Sequence, residues 1–341
     1  MCTLIVLHRC VPDRPLVVAA NRDEFLDRPS EEPALRSSRT GPIVAPLDLE
    51  AGGTWVGVSA RGVFAGLTNL RPGPSSMTEG SGSEESEESE ESEDQPGGIA
   101  ALPIEDQVAA ESALAGRERR VKPELRSRGE VVMMALEAET AADAVQVLSK
   151  LTQGIYNPFQ LLVADGNEAW LVVYRGSGRA VQLEPGPHIL GNVVDERIEA
   201  ELGTASRGPV GAAGLTADEG PRARKLTRIR ARVEKLLTEP GRDYFEGLAR
   251  ICREHVEEIG TGIGIGGEGR EEQSPFESAC VHVANRYGTR SSFLLELSRD
   301  PAANRLWTTD GPPCERSYEN RSSLLRELGV RLGNRAGTEP T

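Results

Sequence analysis

Alternating and continuous apolar positions dominate the first seventy residues and predict β-strands joined by tight turns. The runs CTLIVLHR and PLVVAANR flank a polar turn at Pro12–Pro15, and TWVGVSARGVFAGLTN surrounds a turn at Arg61 and Gly62. Apolar and β-branched runs that are bounded by Gly, Pro and Asp are typical of hairpins. We therefore predict two β-hairpins in this part of the chain.

The apolar pattern changes to a helical period after residue 128. GEVVMMALEAETAADAVQVLSKL predicts two consecutive helices, and PFQLLVADGNEAWLVVYRGSGRAVQLE then predicts three strands with turns at DGN and GSG, followed by the run HILGN. Two more helices, PRARKLTRIRARVEKLL and DYFEGLARICREHVEEI, precede a last pair of strands, SACVHVANRYGTRSSFLLELS and NRLWTTDG. Blocks of strands separated by blocks of helices favour antiparallel sheets with helices on their outer faces, so we predict an α+β fold.

An acidic, serine-rich tract interrupts this pattern. MTEGSGSEESEESEESEDQPGG, from Met77 to Gly98, contains nine acidic residues and no basic residue. Such a composition buries too little apolar surface to offset the entropy of ordering, so we expect disorder there. We predict a partly disordered insertion over residues 73–126 within a single domain over residues 1–310. A C-terminal extension over residues 311–341 is expected to follow.

Charge and apolar content narrow the class of partner. The formal net charge of the chain is -14, and it is -5 without the nine acidic residues of the tract. Over 341 residues, a hydrophobic content of 38% suffices for a core. Nucleic-acid binding needs clustered Lys and Arg. We interpret the one basic stretch, Pro221 to Leu237, as a solvated helix surface, because its apolar residues recur at helical spacing. No nucleic-acid partner is expected.

The ends of the chain and its cysteines indicate the compartment. No apolar run reaches the roughly 18 residues that a membrane-spanning helix needs. The N-terminus also lacks a secretory pattern, since Arg9, Asp13 and Arg14 interrupt its apolar stretch. Five cysteines without C-x-x-C spacing predict reduced thiols rather than a disulfide framework. We expect a cytoplasmic protein, and the sequence leaves the oligomeric state open.

Cys2 is the first candidate for chemistry. If Met1 is removed, as is usual before a small residue, Cys2 gains a free α-amine beside its thiol. An α-amine has a pKa of about 7.7–8.0 in model compounds, so it can accept the thiol proton near neutral pH. The alternative is that Cys2 is a small core residue at the start of a buried strand.

Six short blocks occur in the chain order expected of one family. They are MCT (1–3), NRDE (21–24), GGTW (52–55), LTN (67–69), SRGE (127–130) and YGTRSS (287–292). The chain resembles the NRDE family, also known as the transport and Golgi organisation protein 2 family. Apart from the insertion, the resemblance runs from Met1 to about Thr309. Six matches in order are far more specific than any one of them.

This family is similar in turn to the cysteine branch of the N-terminal nucleophile hydrolases, which includes penicillin V acylase and bile salt hydrolase. The resemblance implies a four-layer αββα sandwich in which an N-terminal cysteine attacks an amide carbonyl. It also implies an arginine and an aspartate that orient the cysteine, asparagines that bind the oxyanion, and a late arginine that completes the site. The same residue types occur here in the same chain order, at Cys2, Arg22, Asp23, Asn69, Asn192 and Arg290.

The charges of the NRDE block fit these roles physically. Arg22 is expected to lower the pKa of the Cys2 thiol, and Asp23 is expected to hold the protonated α-amine by a charge-assisted hydrogen bond. In the hydrolases two residues separate the arginine from the aspartate. Glu24 is therefore an alternative to Asp23, and we assign the role to Asp23. The structural alternative is that the NRDE block forms a polar turn at the end of a strand.

The remaining candidates also have structural alternatives. Asn69 and Asn192 end strand-like runs, where a side-chain amide can donate to a developing oxyanion or form an Asx turn. Arg290 is otherwise a surface strand residue, although Gly288 and the neighbouring serines leave room for a ligand. GIGIGGEG (262–269) matches the glycine spacing of a dinucleotide-binding loop. Such a loop follows a strand, whereas this stretch follows a helix, so we interpret it as an ordinary loop. The four histidines show no metal-ligand spacing, and neither a metal nor another cofactor is expected.

Two function classes remain open on these residues. The first is an amide hydrolase or acyltransferase that uses Cys2 on a small-molecule amide or acyl substrate. The second is a binding or carrier protein of the same fold, without hydrolysis, which the family's association with trafficking and with haem and lipid handling suggests. A fold does not fix a function, and whether the chain is an enzyme is left undecided.

Overall fold

The computed structural model of the protein describes residues 2–70, 125–203, 220–239, 241, 243–255 and 274–332. The predicted insertion, apart from its last two positions, lies outside the described residues. The glycine-rich stretch 262–269 also lies outside them.

Two antiparallel sheets contain the strands of the described residues. These strands are β1 (Cys2–Val11), β2 (Arg14–Phe25), β3 (Ser30–Ser38), β4 (Gly41–Asp48), β5 (Val56–Ser59), β6 (Phe64–Asn69), β7 (Phe159–Ala164), β8 (Ala169–Tyr174), β9 (Gly178–Leu183), β10 (Gly186–Leu190), β11 (His282–Val283), β12 (Tyr287–Leu297), β13 (Arg305–Asp310) and β14 (Glu319–Asn320). The first sheet has the order β10-β1-β2-β12-β13-β14, with β11 paired to β12. The second sheet has the order β3-β4-β5-β6-β7-β8-β9.

Helices cover the outer faces of both sheets. The α-helices of the described residues are α1 (Gly129–Leu136), α2 (Ala141–Leu148), α3 (Glu196–Glu201), α4 (Gly220–Thr238), α5 (Tyr244–Arg253) and α6 (Ser322–Leu328). Apolar residues of α1 and α2 share a core with β4, β6, β7 and β8. Those of α4 and α5 share a core with β1, β2 and β12. Asp243 caps α5 by accepting hydrogen bonds from the backbone of Phe245 and Glu246.

Strand alternation separates the core into layers. In β1, Leu4 and Val6 belong to the core between the two sheets, whereas Ile5 and Leu7 belong to the core beneath α4 and α5. Successive side chains of a strand point to opposite faces, so a strand with helices on one side and a sheet on the other is apolar at every position. The order of layers is helix, sheet, sheet, helix, which confirms the predicted α+β fold of αββα type.

The predicted elements are confirmed at most positions. The first hairpin is β1–β2 and the second is β5–β6, where Gly62 adopts a positive φ of 77° in the turn. The two helices after residue 128, the three strands after residue 158 and the two later helices are also present. The prediction omitted β3, β4 and the short elements α3, β11, β14 and α6.

Helix α4 differs from the predicted solvated surface on one side. Ile229, Val233 and Leu236 are buried as expected, but Arg222 and Lys225 are also buried, each with 6% of its surface exposed. These two residues continue the apolar stripe toward the start of the helix.

In the part of the chain that the structure describes, no helix is both long and apolar enough to span a membrane.

The segment expected to be a C-terminal extension joins the main fold. β14 adds a strand to the first sheet, and Leu325, Leu328 and Val330 lie in the core between the sheets. Arg331 donates its backbone N–H to Ala60 O at 3.1 Å, beside the β5–β6 turn. Residues 319–332 are therefore an integral part of the sandwich.

Candidate functional site

One row of residues crosses the first sheet and contains Cys2. Strand pairing sets Cys2 opposite Arg22 of β2, and Arg22 opposite Ser291 of β12. The pairing of β1 with β10 ends at Leu4 and Leu190, so Asn192 follows the end of the strand on the other side of β1. Residues in one row of a sheet share a face. The pairing therefore brings Cys2 and Arg22 together, and Asn192 lies just beyond the end of β10, the other neighbour of β1.

Arg22 directs this row toward the second sheet. Its side chain is 4% exposed, and it donates Nη1 to Ser30 Oγ at 3.3 Å and Nη2 to Asp48 Oδ2 at 3.2 Å. The Arg22 guanidinium carbon lies 4.2 Å from the centroid of the Trp55 ring. Arg22 is thus held between the sheets by a carboxylate and an aromatic face, both of which stabilise a buried cation.

Asp48 fixes a second arginine at the same place. Arg28 donates Nε to Asp48 Oδ2 at 2.9 Å, and Arg28 Nε lies 3.9 Å from Glu24 Oε2. Burial raises the pKa of Asp48, but the hydrogen bonds from Arg28 and from the backbone of Ala51, together with the charge of Arg22, lower that pKa below its usual value. Asp48 is therefore a carboxylate at neutral pH and anchors both guanidinium groups.

Asp23 points to the opposite face of β2 from Cys2. It is 1% exposed, accepts a hydrogen bond from Thr289 Oγ1 at 2.7 Å, and forms an ion pair with Lys225 Nζ of α4 at 3.3 Å. Glu24, the next residue, shares the face of Cys2 and Arg22 by strand alternation. The alternation therefore sets Glu24, and not the slightly preferred Asp23, on the side of the thiol.

Asn69 and Asn192 are in direct contact. Asn192 donates Nδ2 to the backbone oxygen of Asn69 at 2.8 Å. Gln160 of β7 donates Nε2 to Gly191 O at 2.7 Å and to Val193 O at 2.9 Å, so it fixes the backbone on both sides of Asn192. Asn192 thus contributes its side chain to this contact, whereas Asn69 contributes a backbone oxygen.

Two buried polar atoms next to these asparagines have no partner among the described residues. They are Gln160 Oε1 and Thr68 Oγ1, whose residues pair with each other across β6 and β7. Buried polar groups are nearly always hydrogen-bonded, and an exception in a site marks a place for water or ligand. Both residues share the inter-sheet face of their strands.

Arg290 is the extra residue of a β-bulge. Thr289 pairs with Asp23 and Ser291 pairs with Arg22, which leaves Arg290 without a partner on β2. It donates Nη1 to Asp310 Oδ1 at 2.7 Å, and its Nε is buried without a hydrogen-bond partner in the described part of the chain. Arg290 lies on the second strand from Cys2, at the margin of the row.

The environment of Cys2 favours the neutral thiol. Burial raises the pKa of Cys2 most strongly. The charge of the N-terminus lowers this pKa and that of Asp23 raises it, while the smaller effects of Arg22 and Glu24 lower and raise it respectively. Arg22 thus acts in the expected direction, but burial outweighs it. Nucleophilic use of this thiol requires a base.

The six family blocks meet at this end of the sandwich. NRDE pairs with MCT and with YGTRSS, and it contacts GGTW through Arg22 and Trp55. GGTW meets SRGE where a Cβ on Gly53 would lie 2.6 Å from the backbone of Gly129, an approach that only glycine permits. GGTW also meets LTN, since Leu67 donates its N–H to Trp55 O at 2.8 Å.

Sequence reasoning missed Gln160 and Lys225, which support the site from two sides. Gln160 is a polar residue inside the apolar run FQLLVA, and Lys225 falls on the apolar stripe of α4. A polar residue at a core position is the signal that identifies both.

Two other features lie apart from the row of Cys2. A cleft of about 700 Å³ lies between β3, β4 and α1, and its lining includes Gly53, Thr54, Glu130 and Met133. Among the described residues, the one group whose ligand atoms are close enough to hold a metal is His255, His282 and Cys314. The prediction from histidine spacing did not anticipate this group.

Solved structures with similar folds include a hydrolase and an orthologue of an amidase. A variant of the conjugated bile acid hydrolase of Clostridium perfringens aligns with a TM-score of 0.47 at 10% identity, over 97% of this chain and 95% of that chain. The Caenorhabditis elegans orthologue of an N-acylethanolamine-hydrolysing acid amidase aligns with a TM-score of 0.38 at 11% identity, over 86% of this chain and 92% of that chain. At this level of similarity neither their activity nor their site transfers to this chain.

Sequence comparison identifies the family directly. A transport and Golgi organisation 2 homologue of Mus musculus is 30% identical over 192 residues, which are 53% of this chain and 51% of the mouse protein, so this match spans about half of that relative. A homologue of Bos taurus is 27% identical over 300 residues, 84% of this chain and 83% of the bovine protein. The family model for Transport and Golgi organisation 2 matches residues 1–95 and 111–305. The chain therefore belongs to the Transport and Golgi organisation 2 family.

Proposed function

We propose that the protein is an amide hydrolase or acyltransferase whose nucleophile is Cys2 after removal of Met1. The observation that carries this proposal is the convergence of all six family blocks around one end of the sandwich, with Cys2 paired to Arg22 and Asn192 just beyond the end of β10. A core cysteine would not require a buried arginine, a carboxylate and an asparagine beside it.

The α-amine of Cys2 supplies the missing base. With a pKa of about 7.7–8.0, a free α-amine is partly neutral at physiological pH and takes the thiol proton. The thiolate attacks the amide carbonyl and forms a C–S bond. The α-ammonium then protonates the leaving nitrogen as the C–N bond breaks, which leaves a thioester. Water, or an acceptor amine or alcohol, releases the acyl group and restores the thiol.

Asn192 is the group that we assign to the oxyanion. One N–H of its side chain donates to Asn69 O, and the second N–H can donate to the tetrahedral intermediate. The hydrogen bonds from Gln160 to Gly191 and Val193 hold this donor in place before the reaction. Such preorganised donors contribute roughly 3–4 kcal/mol to catalysis in comparable sites.

Arg22 and Glu24 position the nucleophile in this proposal. Arg22 is immobilised by Asp48 and Trp55, and its charge partly offsets the effect of burial on the thiol. Glu24 shares the face of Cys2 and is the carboxylate that we assign to the protonated α-amine. Asp23 instead ties β2 to α4 through Lys225.

Mass analysis after treatment with a thiol-directed acylating probe tests the N-terminus and the nucleophile together. We expect a protein that lacks Met1 and carries one acyl group on Cys2. Cys2→Ala should lose the acyl group and any turnover of acyl p-nitroanilides, and Cys2→Ser should retain at most weak activity, because a hydroxyl is a poorer nucleophile. Cys10→Ala, on the same strand, is the matched control and should behave as the wild type.

Two results would overturn the enzymatic proposal. The first is a reactive protein that retains Met1, because its base would then be an amide. The second is full biological activity of Cys2→Ala in a cell that lacks the native protein.

A second candidate function is ligand binding without hydrolysis. The cleft of about 700 Å³ beside the GGTW and SRGE blocks favours it, since Leu35, Leu47 and Met133 give this cleft an apolar wall, while its arginines Arg36 and Arg126 form ion pairs with Glu31 and Glu130. A ligand with a large apolar part, such as a fatty acid or haem, fits that wall. Titration with either ligand should then give the same affinity in the wild type and in Cys2→Ala.

A further inference from the structure

Four side chains from three separate segments converge at the edge of the first sheet. Cys280 and His282 flank Val281 at the start of β11, His255 follows α5, and Cys314 lies in the loop after β13. We refer to these four residues as the Cys–His cluster. Cys280 is fully buried, His282 and Cys314 are half-buried, and His255 is exposed.

Two of the three distances among Cys280, His282 and Cys314 match the edges of a metal-ligand tetrahedron, and the third is shorter. Cys280 Sγ lies 3.5 Å from Cys314 Sγ and 3.5 Å from His282 Nε2, and His282 Nε2 lies 3.0 Å from Cys314 Sγ. Tetrahedral zinc with bonds of about 2.3 Å to sulfur and about 2.1 Å to nitrogen sets its ligand atoms roughly 3.4–3.8 Å apart. The ligand atoms of His255, His282 and Cys314 all lie within 4.8 Å of one another, and this group does not extend to Cys280. Binding of one cation by all four residues therefore requires the exposed His255 side chain to move toward Cys280.

The second imidazole nitrogen of His282 supports the same interpretation. His282 Nδ1 lies 3.9 Å from Glu315 Oε1. A histidine that binds metal through Nε2 carries its proton on Nδ1, and a carboxylate on that side fixes the ring. Glu315 is held in a turn by its backbone hydrogen bond to Pro312 O at 3.0 Å.

A disulfide between Cys280 and Cys314 would explain only half of the cluster. It would account for the two sulfur atoms but not for His282 Nε2 beside them, nor for His255, whose ring centroid lies 5.4 Å from that of His282. Two thiols and two imidazoles are the ligand set that zinc prefers in structural sites.

We propose that His255, Cys280, His282 and Cys314 bind one zinc-type divalent cation in a tetrahedral structural site. Binding converts both thiols to thiolates and releases two protons to solvent. Four protein ligands leave no open position for a substrate, so the cation stabilises the fold rather than reacting. It ties α5 and the loop after β13 to β11, whose neighbour Val281 exchanges hydrogen bonds with Thr289, the partner of Asp23.

Metal analysis of the full chain tests this site. Protein purified without chelator should contain one zinc per chain by inductively coupled plasma mass spectrometry, and Co²⁺ added to the stripped protein should give the visible absorption of tetrahedral thiolate-bound cobalt. Removal of a carboxylate outside the ligand shell typically weakens metal affinity about 10- to 100-fold, so Glu315→Gln should do so and Cys314→Ser should cost at least as much. His255→Ala alters an exposed residue and should keep the fold, as circular dichroism would report.

Cys10→Ser is the matched control, because Cys10 is half-buried on β1 and outside the cluster. It should retain full zinc content. The proposal is overturned if Zn²⁺ shows no saturable binding at micromolar concentration, or if Cys10→Ser loses metal as Cys314→Ser does. It is equally overturned if intact mass shows a Cys280–Cys314 disulfide in metal-free protein under reducing cellular conditions.

Discussion

Alternation along a single strand gives neighbouring residues of the NRDE block different roles. Arg22 and Glu24 face the second sheet and the row of Cys2, whereas Asn21 and Asp23 face the helices. Asn21 donates Nδ2 to Cys252 O at 2.9 Å and to Ala279 O at 2.8 Å, so it satisfies backbone groups that would otherwise be buried without partners. One four-residue block thereby serves both the candidate site and the attachment of the helix layer.

His8 lies on the same inter-sheet face of β1 as Cys2. Its environment predicts that the free energy of unfolding depends on pH. It is 1% exposed, and both ring nitrogens lack a hydrogen-bond partner among the described residues. Burial, together with the smaller effects of Arg9 and His188, lowers the pKa of His8 to about 4, although Asp165 acts in the opposite direction. The folded state therefore keeps His8 neutral where the unfolded chain becomes protonated.

Between pH 6.5 and pH 4 the unfolded state binds a proton at His8 that the folded state does not bind. The free energy of unfolding should fall over this window by about 3 kcal/mol, at roughly 1.4 kcal/mol for each pKa unit. His8→Leu removes the titrating group, so urea denaturation of this variant should show a smaller loss of stability than the wild type. Equal losses in the two proteins would show that His8 is protonated in the folded state.

At the scale of elements, one buried ion pair connects α4 to β2. Lys225 and Asp23 are exposed by 7% and 0% of their side chains, and their charged atoms lie 3.3 Å apart. Lys225→Met leaves the Asp23 carboxylate buried with only part of its partners. We expect a loss of about 3–5 kcal/mol in the free energy of unfolding, because an uncompensated buried charge is costly.

Two further variants separate charge from packing at this pair. The double variant Asp23→Asn with Lys225→Met should recover part of the lost stability, since no charge then remains unpaired. Lys235→Met on the same helix is the matched control and should change stability by less than about 0.5 kcal/mol. An equal loss in Lys225→Met and Lys235→Met, measured by thermal unfolding, would contradict the assignment.

Local patterns predict the elements of this fold well and their lateral contacts poorly. The hairpins and the helices α1, α2, α4 and α5 follow from apolar period and turn residues, because each pattern is contained within one segment. β3 was missed because SEEPALRSS reads as polar and lies at the edge of its sheet, with most positions partly exposed. The short β11 and β14 have too few residues to show a period.

The candidate site was predictable only where strand pairing or family blocks carried it. Cys2 and Arg22 follow from the NRDE resemblance and from the hairpin that pairs them. Gln160 and the Cys–His cluster depend on contacts between segments far apart in the chain, which no local pattern encodes. The sequence could in principle have shown which of Asp23 and Glu24 lies on the face of Cys2. The hairpin register pairs Cys2 with Arg22, and strand alternation then assigns Glu24 to the face of Cys2.

At the scale of the whole molecule, the C-terminal segment closes the space between the sheets. Leu325, Leu328 and Val330 are 1%, 4% and 2% exposed and share one core with residues of both sheets. Gly62, in the β5–β6 turn, would bring a Cβ within 2.9 Å of Arg331 O, so the turn and the segment are fitted to each other. The first and last parts of the described chain are thus packed on the same core.

Removal of residues 319–341 should therefore abolish cooperative folding. Burial of a Leu or Val side chain contributes about 1.5–3 kcal/mol, so the three residues together represent a large part of a typical stability of roughly 5–15 kcal/mol. Truncation after Leu332 is the matched control. It removes only GNRAGTEPT, which has no large apolar residue, and should leave Tm unchanged. If calorimetry instead finds a normal transition after removal of 319–341, the core between the sheets is complete without α6.

Deletion of Met77 to Gly98 should also leave Tm unchanged, because that tract contains one apolar residue, Met77. A large fall in Tm on deletion of the acidic tract would show that residues of that composition support the sandwich.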